Sequence, residues 1–183
     1  MGTFLRFLGI SSSDDNRVDE ATGLTERQKK LVQNTWAVVR KDEVASGIAV
    51  MTTSLRLDST KFFCRFFKKY PEYQRYFPAF KDTPLNELPA NKRFQAHCAS
   101  VITALNNVID SLHDPALMEA SLISLAERHK NRGQTKEEFQ NLKEVMLEVL
   151  RQALGKQYTP EVAEAWSKTL DGLFTKIYQV FAS

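Results

Sequence analysis

The chain has 183 residues, 43% of them hydrophobic and 26% charged, with only seven Gly and six Pro. That length suits one domain with a real core, and so few chain-breaking residues favour helix. The net charge of +3 is mild, and Lys and Arg lie scattered among Asp and Glu without forming a stripe, so no nucleic-acid partner is indicated. Two cysteines, Cys64 and Cys98, do not make a secreted disulfide framework. No apolar run is long enough to span a bilayer. The first residues lack the apolar core and small-residue cleavage site of a secretory signal, which leaves the cytoplasm as the expected compartment.

Residues 1–23 differ in character from the rest of the chain. MGTFLRFLGI is short and apolar with one Arg, and SSSDDNRVDEATG is polar, so this stretch is expected to be a flexible extension ahead of one domain over 24–183. Met1-Gly2 raises N-myristoylation, yet that signal wants Ser or Thr at position 6 and the chain has Arg6. A disordered tail is the simpler reading, and weak membrane contact through an acylated Gly2 is the other.

The first helix is predicted to start at Thr25, where Thr25 and Gln28 fit a capping box, and to bury Val32, Trp36 and Val39. A second helical segment is expected over 42–53, with Gly47 permitting a close helix crossing. A weakly periodic stretch comes next, with Asp58 or Ser59 as a new N-cap, leading into the aromatic run KFFCRFFKKYPEYQRYFPAF. Pro71 should open a short turn and Phe77, Pro78 and Phe80 should end it before a polar loop. Pro89 is expected to open a long helix with Phe94, Val101, Leu105, Val108 and Leu112 inward, stopped at His113-Asp114-Pro115.

The next helix carries Met118, Leu122 and Leu125 and closes at Asn131-Arg132-Gly133. Thr135 and Glu138 form another capping box, opening a helix to about Leu154 with Phe139, Leu142, Val145, Met146 and Leu150 inward. Thr159-Pro160 starts a last helix whose apolar face includes Val162, Trp166, Leu170, Leu173, Phe174, Ile177 and Phe181. No strand-like alternation or internal repeat is present, so the class is all-α.

Phosphate loops, paired-histidine zinc helices, Cys-x-x-Cys and Gly-x-Ser-x-Gly elbows are missing. What remains are two histidines on apolar faces of different helices. His97 lies one turn before Val101, and His129 lies four residues after Leu125. A buried imidazole needs a partner. Each is either a core histidine bonded to a neighbour, or one of a pair facing a slot that holds a flat, iron-bearing cofactor such as haem, whose usual axial ligand is imidazole.

With Trp36, Pro71, Phe77, Phe80, the His97 and Val101 pair, Leu125, His129, the Phe139 and Leu142 pair and the Trp- and Phe-bearing last helix, the sequence resembles the globin family from about Leu24 to its end. The resemblance implies a three-on-three helical sandwich binding haem b. It makes His129 the proximal iron ligand and His97 the distal residue, acting as a hydrogen-bond donor to bound ligand or as a sixth ligand itself. It places Phe77 on the haem face and Val101, Phe80, Leu125, Phe139 and Leu142 around the pocket. The extended N-terminus is similar to those of some non-erythroid, intracellular animal globins.

One departure concerns the second helix. Trp36 and Pro71 are farther apart than the family normally allows, which places an insertion within about 53–65. Counting from Gly47 puts Met51 at the distal wall, and counting back from Pro71 puts Phe63 there, the register favoured by the unbroken run from Phe63 to Pro71. Cys64 and Cys98 fall in crossing segments, where a disulfide is one option. The implied function is reversible binding of O₂ or another small ligand (CO, NO, nitrite) by a monomer or homodimer. The alternative is haem redox catalysis with an unknown reductase: nitric oxide dioxygenation, nitrite reduction or peroxide scavenging.

Overall fold

The computed structural model describes residues 16–40 and 59–183. The expected helix over 42–53 with Gly47, Met51, the 53–58 part of the insertion and the acylation signal lie outside the described residues. Six α-helices are present among them: α1 (Glu26–Arg40), α2 (Ser59–Lys69), α3 (Lys92–Asp110), α4 (Pro115–Lys130), α5 (Lys136–Leu154) and α6 (Pro160–Ala182). No described residue belongs to a sheet; one isolated bridge joins Val18 and Thr25.

Local chemistry starts and stops these helices. Thr25 and Gln28 exchange backbone-to-side-chain hydrogen bonds of 3.1 and 3.2 Å at the start of α1, closing the expected box. A 3₁₀ turn, Pro71–Tyr76, comes after α2 where proline opens it. The start of α3 differs from expectation. Pro89 sits inside a separate 3₁₀ turn, Leu88–Ala90, and Asn91 is the N-cap, its side chain accepting from the Arg93 and Phe94 amides at 2.9 and 3.1 Å. A side-chain acceptor two and three residues ahead satisfies amides that a proline ring cannot. Asp114 caps α4, the Thr135–Glu138 box caps α5, and Gly155, with φ of 50°, ends α5.

The helices form two layers, with α1, α3 and α4 packed over α2, α5 and α6. The layers meet at α1 and α6 through two indoles. Trp36 and Trp166 lie 5.7 Å apart, Trp166 Nε1 donates to Thr35 Oγ1 at 2.9 Å, and Trp36 Nε1 donates to Asn106 of α3 at 2.8 Å. Buried indoles need such partners, and here each N–H ties α1 to a different helix.

Packing begins upstream of the boundary expected at Leu24. The Asp19 carboxylate accepts from the Ala21 and Thr22 amides and from Lys29 Nζ at 2.7 Å, so a tight turn closes over α1. The Lys29 side chain is only 2% exposed and also meets Glu26 at 3.0 Å. That pairing offsets the desolvation of its ammonium group. Gly172 in α6 lets this turn sit close, since a Cβ there would lie 3.0 Å from the Thr22 carbonyl oxygen.

Candidate functional site

Helix α3 presents two adjacent stripes rather than one. Phe94, Cys98, Ile102 and Ile109 are fully buried, whereas His97, Val101, Leu105 and Val108 face a cleft between the layers. Helix α4 does the same on the opposite side, with Leu122, Leu125 and His129 toward the cleft. The cleft encloses about 940 Å³ between atoms, mouth included.

His97 is seated among aromatic rings. Its imidazole lies 4.9 Å from Phe63, 4.8 Å from Phe77 and 5.8 Å from Phe80, centroid to centroid. Its Nε2 is buried and without a hydrogen-bond partner. Burial first, then the positive charge of Arg132 and of a protonated His129, brings its pKa from 6.5 down to about 4. It is therefore a neutral ring at physiological pH.

His129 is held differently. Its Nδ1 lies 2.7 Å from the Leu125 carbonyl oxygen, and its ring rests on Phe139 at 5.3 Å. A carbonyl can only accept, so Nδ1 carries the proton and Nε2 keeps its lone pair. Burial lowers its pKa, opposed by the Leu125 bond. A neutral imidazole whose far nitrogen is fixed by a carbonyl is the arrangement a metal-ligating histidine needs.

Of the residues singled out from sequence, His97, His129, Phe63, Phe77, Val101, Leu125, Phe139 and Leu142 all line this one cleft. Phe63 stands beside His97, in the register counted back from Pro71. Phe80 does not border the cleft. It stacks against Phe77 at 5.1 Å with planes 16° apart, so it braces the wall from behind. Cys64 and Cys98 are not joined by a disulfide. Arg128 is exposed and donates to Ser124, one turn back, at 3.3 Å.

Several lining residues were legible only as core. Leu170, Leu173, Phe174 and Ile177 of α6 and Phe62 and Phe66 of α2 carry ordinary helical periodicity, which does not separate a core face from a pocket wall. Gln134 and Glu138 supply polar lining at one side of the cleft. Glu138 was readable only as a helix cap. It also accepts from Tyr76 Oη at 2.7 Å, and these hydrogen bonds hold its pKa below the usual carboxylate range against the effect of burial.

The fit to a flat, apolar iron macrocycle rests on the donor set. Two neutral imidazoles share one aromatic-walled slot, one with an orphaned Nε2 and one with its Nε2 lone pair available. No described helix is long and apolar enough to cross a membrane.

Comparison with known proteins agrees with this geometry. Cytoglobin-2 of Danio rerio is 28% identical over 84% of this chain and 80% of its own length. A Nerita albicilla globin is 28% identical over 85% of this chain and 92% of its own. Among solved structures, a hexa-coordinate hemoglobin of Drosophila melanogaster superposes with a TM-score of 0.70 at 26% identity, covering 85% of this chain and 94% of that one. The hexacoordinated heme protein of an anhydrobiotic tardigrade matches with a TM-score of 0.76 at 17% identity, over 90% of this chain and 99% of the other, a likeness of fold. The globin family model matches residues 60–177, more than half of the chain. The chain belongs to the globin family, as a haem-binding protein for small gaseous ligands such as O₂.

Proposed function

We propose that the protein binds haem b with His129 as the proximal ligand and His97 as a displaceable sixth ligand, releasing the iron to O₂, CO or NO. The observation that carries this reading is the orphaned Nε2 of His97, buried in the same cleft as His129. The two rings are close enough for a positive charge on His129 to depress protonation of His97. The Drosophila melanogaster hexa-coordinate hemoglobin, 26% identical, points the same way.

Haem iron, when bound, supplies a site that takes one small ligand at a time. Everything else falls to the chain. The Leu125 carbonyl fixes the His129 tautomer and aims its lone pair. Phe63, Phe77 and Val101 exclude water from the distal side. His97, being neutral, would have a lone pair to offer the iron, and apparent affinity for an outside ligand would then be lowered by the fraction of open state. The cytoplasm suits this function.

Recombinant protein supplied with haemin should show a Soret band, which His129→Ala should greatly weaken. Sharp, split visible bands in the deoxy ferrous form report two histidine ligands; a single broad band reports an open site. A protein that stays colourless with haemin overturns the haem assignment. A broad deoxy band overturns the role given to His97.

A further inference from the structure

Three tyrosines before and along the 3₁₀ turn meet three polar side chains of α5 in matched register. Tyr76 Oη donates to Glu138 at 2.7 Å, Asn141 Nδ2 donates to Tyr73 Oη at 2.7 Å, and Tyr70 Oη donates to Glu144 at 2.9 Å. The spacing explains the match. Residues three apart eclipse in a 3₁₀ turn, and residues three apart stay on nearly one face of an α-helix. The two segments therefore close like a three-rung ladder, running in opposite directions.

The last rung has a particular address. Tyr76 is followed in the chain by Phe77, whose ring lies 4.8 Å from His97. Glu138 is followed by Phe139, whose ring lies 5.3 Å from His129. One hydrogen bond thus joins the two backbone positions next to the rings that seat the two histidines. Glu138 is itself only 8% exposed, lines the cleft, and is pinned by the Thr135 amide and hydroxyl at 2.8 and 2.6 Å. The anchor on α5 is thus held by its own cap, and the turn is tied to it. His97 has no hydrogen bond at Nε2, and Phe77 is one of the rings that seat it.

We infer that Tyr76 and Glu138 are a positioning pair that holds the two segments whose rings, Phe77 and Phe139, seat the histidines at the spacing His97 needs to reach the iron. The inference rests on the six-coordinate reading of the haem site. Loss of the rung lets the turn relax outward and opens the site. A displacement well under a bond length suffices, because a ligating geometry tolerates only about 0.5 Å.

The test uses the full-length protein loaded with haemin, reading the six-coordinate share from the deoxy ferrous spectrum and the rate of CO binding. Tyr76→Phe removes the rung and keeps the ring and the cap of α5. It should lower the constant for His97 ligation by about tenfold, the lower end of what a hydrogen bond to a charged group is worth, and speed CO binding to match. Glu138→Gln keeps a hydrogen bond to Tyr76 in either amide orientation and should retain most of the six-coordinate share. Tyr70→Phe removes the rung farthest from the two histidines and should lower thermal stability without moving the spectrum. A six-coordinate wild type whose spectrum is unchanged by Tyr76→Phe, or is moved equally by Tyr70→Phe, overturns this inference alone. A wild type that takes up no haem, or holds it five-coordinate, overturns the six-coordinate reading and this one with it.

Discussion

His97→Leu in the haem-free protein separates the cost of this histidine from its use. At neutral pH the ring is uncharged with Nε2 buried and unpaired, which costs roughly 1–3 kcal/mol. Leucine has a similar bulk and no polar atom, while the lost ring contacts with Phe63 and Phe77 take back about 1 kcal/mol. The variant should therefore be more stable than wild type by about 1 kcal/mol at pH 7.

Acid should widen the gap. The folded-state pKa is depressed from 6.5 to about 4, so the unfolded chain binds a proton first as pH falls. The wild type's stability is intact above 6.5 and is lost as pH falls toward 4, at about 1.4 kcal/mol per pH unit. Leucine does not titrate, so its advantage should grow by about 2 kcal/mol between pH 6.5 and pH 5. Urea unfolding of both proteins at several pH values reads this difference directly, provided the slopes match. Carboxylates and His129, present in both, largely cancel. A variant no more stable than wild type at pH 7, with a difference flat in pH, refutes the reasoning. With haemin added the order should reverse, because only the wild type gains a second axial bond.

Three further outcomes are expected. Trp166→Phe loses the 2.9 Å bond to Thr35 and leaves space against Trp36; a cost of about 2–4 kcal/mol should appear as a clear drop in thermal midpoint. Asn91→Ala removes the cap that starts the His97 helix and should cost about 1 kcal/mol in urea unfolding. Asp19→Asn weakens the tie to buried Lys29, leaving Glu26 as its partner; the cost is about 1 kcal/mol at pH 7, kept small because the carboxylate is partly exposed. The Asp19 pKa is lowered from 3.8 to about 2, mainly by the Lys29 hydrogen bond. The wild type's advantage is therefore complete above pH 3.8 and fades as pH falls toward 2, which acid titration of both proteins by circular dichroism would show.

The features legible in the sequence obey local rules. Capping at Thr25 and Thr135, the stop at Gly155 and the apolar periods of α1, α5 and α6 depend on residues within one or two turns, and these the chain spells out. The two histidines stood out because an ionisable ring on an apolar stripe is costly unless something pairs with it. Pro89 misled because its ring suits a first turn in general, while Asn91 owns the acceptor the two amides need.

The rest depended on which faces meet. Phe77 and Phe80 look alike in sequence, yet one borders the cleft and the other braces it from behind. Asp19 and Lys29 are ten residues apart, and only the fold brings the carboxylate to the ammonium. Glu138 reads as a cap, and only the docking of α5 against the turn makes it the partner of Tyr76. Sequence alone thus specified most of the described helices, because periodicity and capping act over a few residues, while the resemblance carried by residues such as Trp36, Phe77, His97 and His129 supplied the family and the haem-ligand candidates. The cleft's width, its bracing and the register of Tyr76 against Glu138 came from tertiary packing, because those contacts join segments 62 residues apart whose relative placement no local pattern encodes.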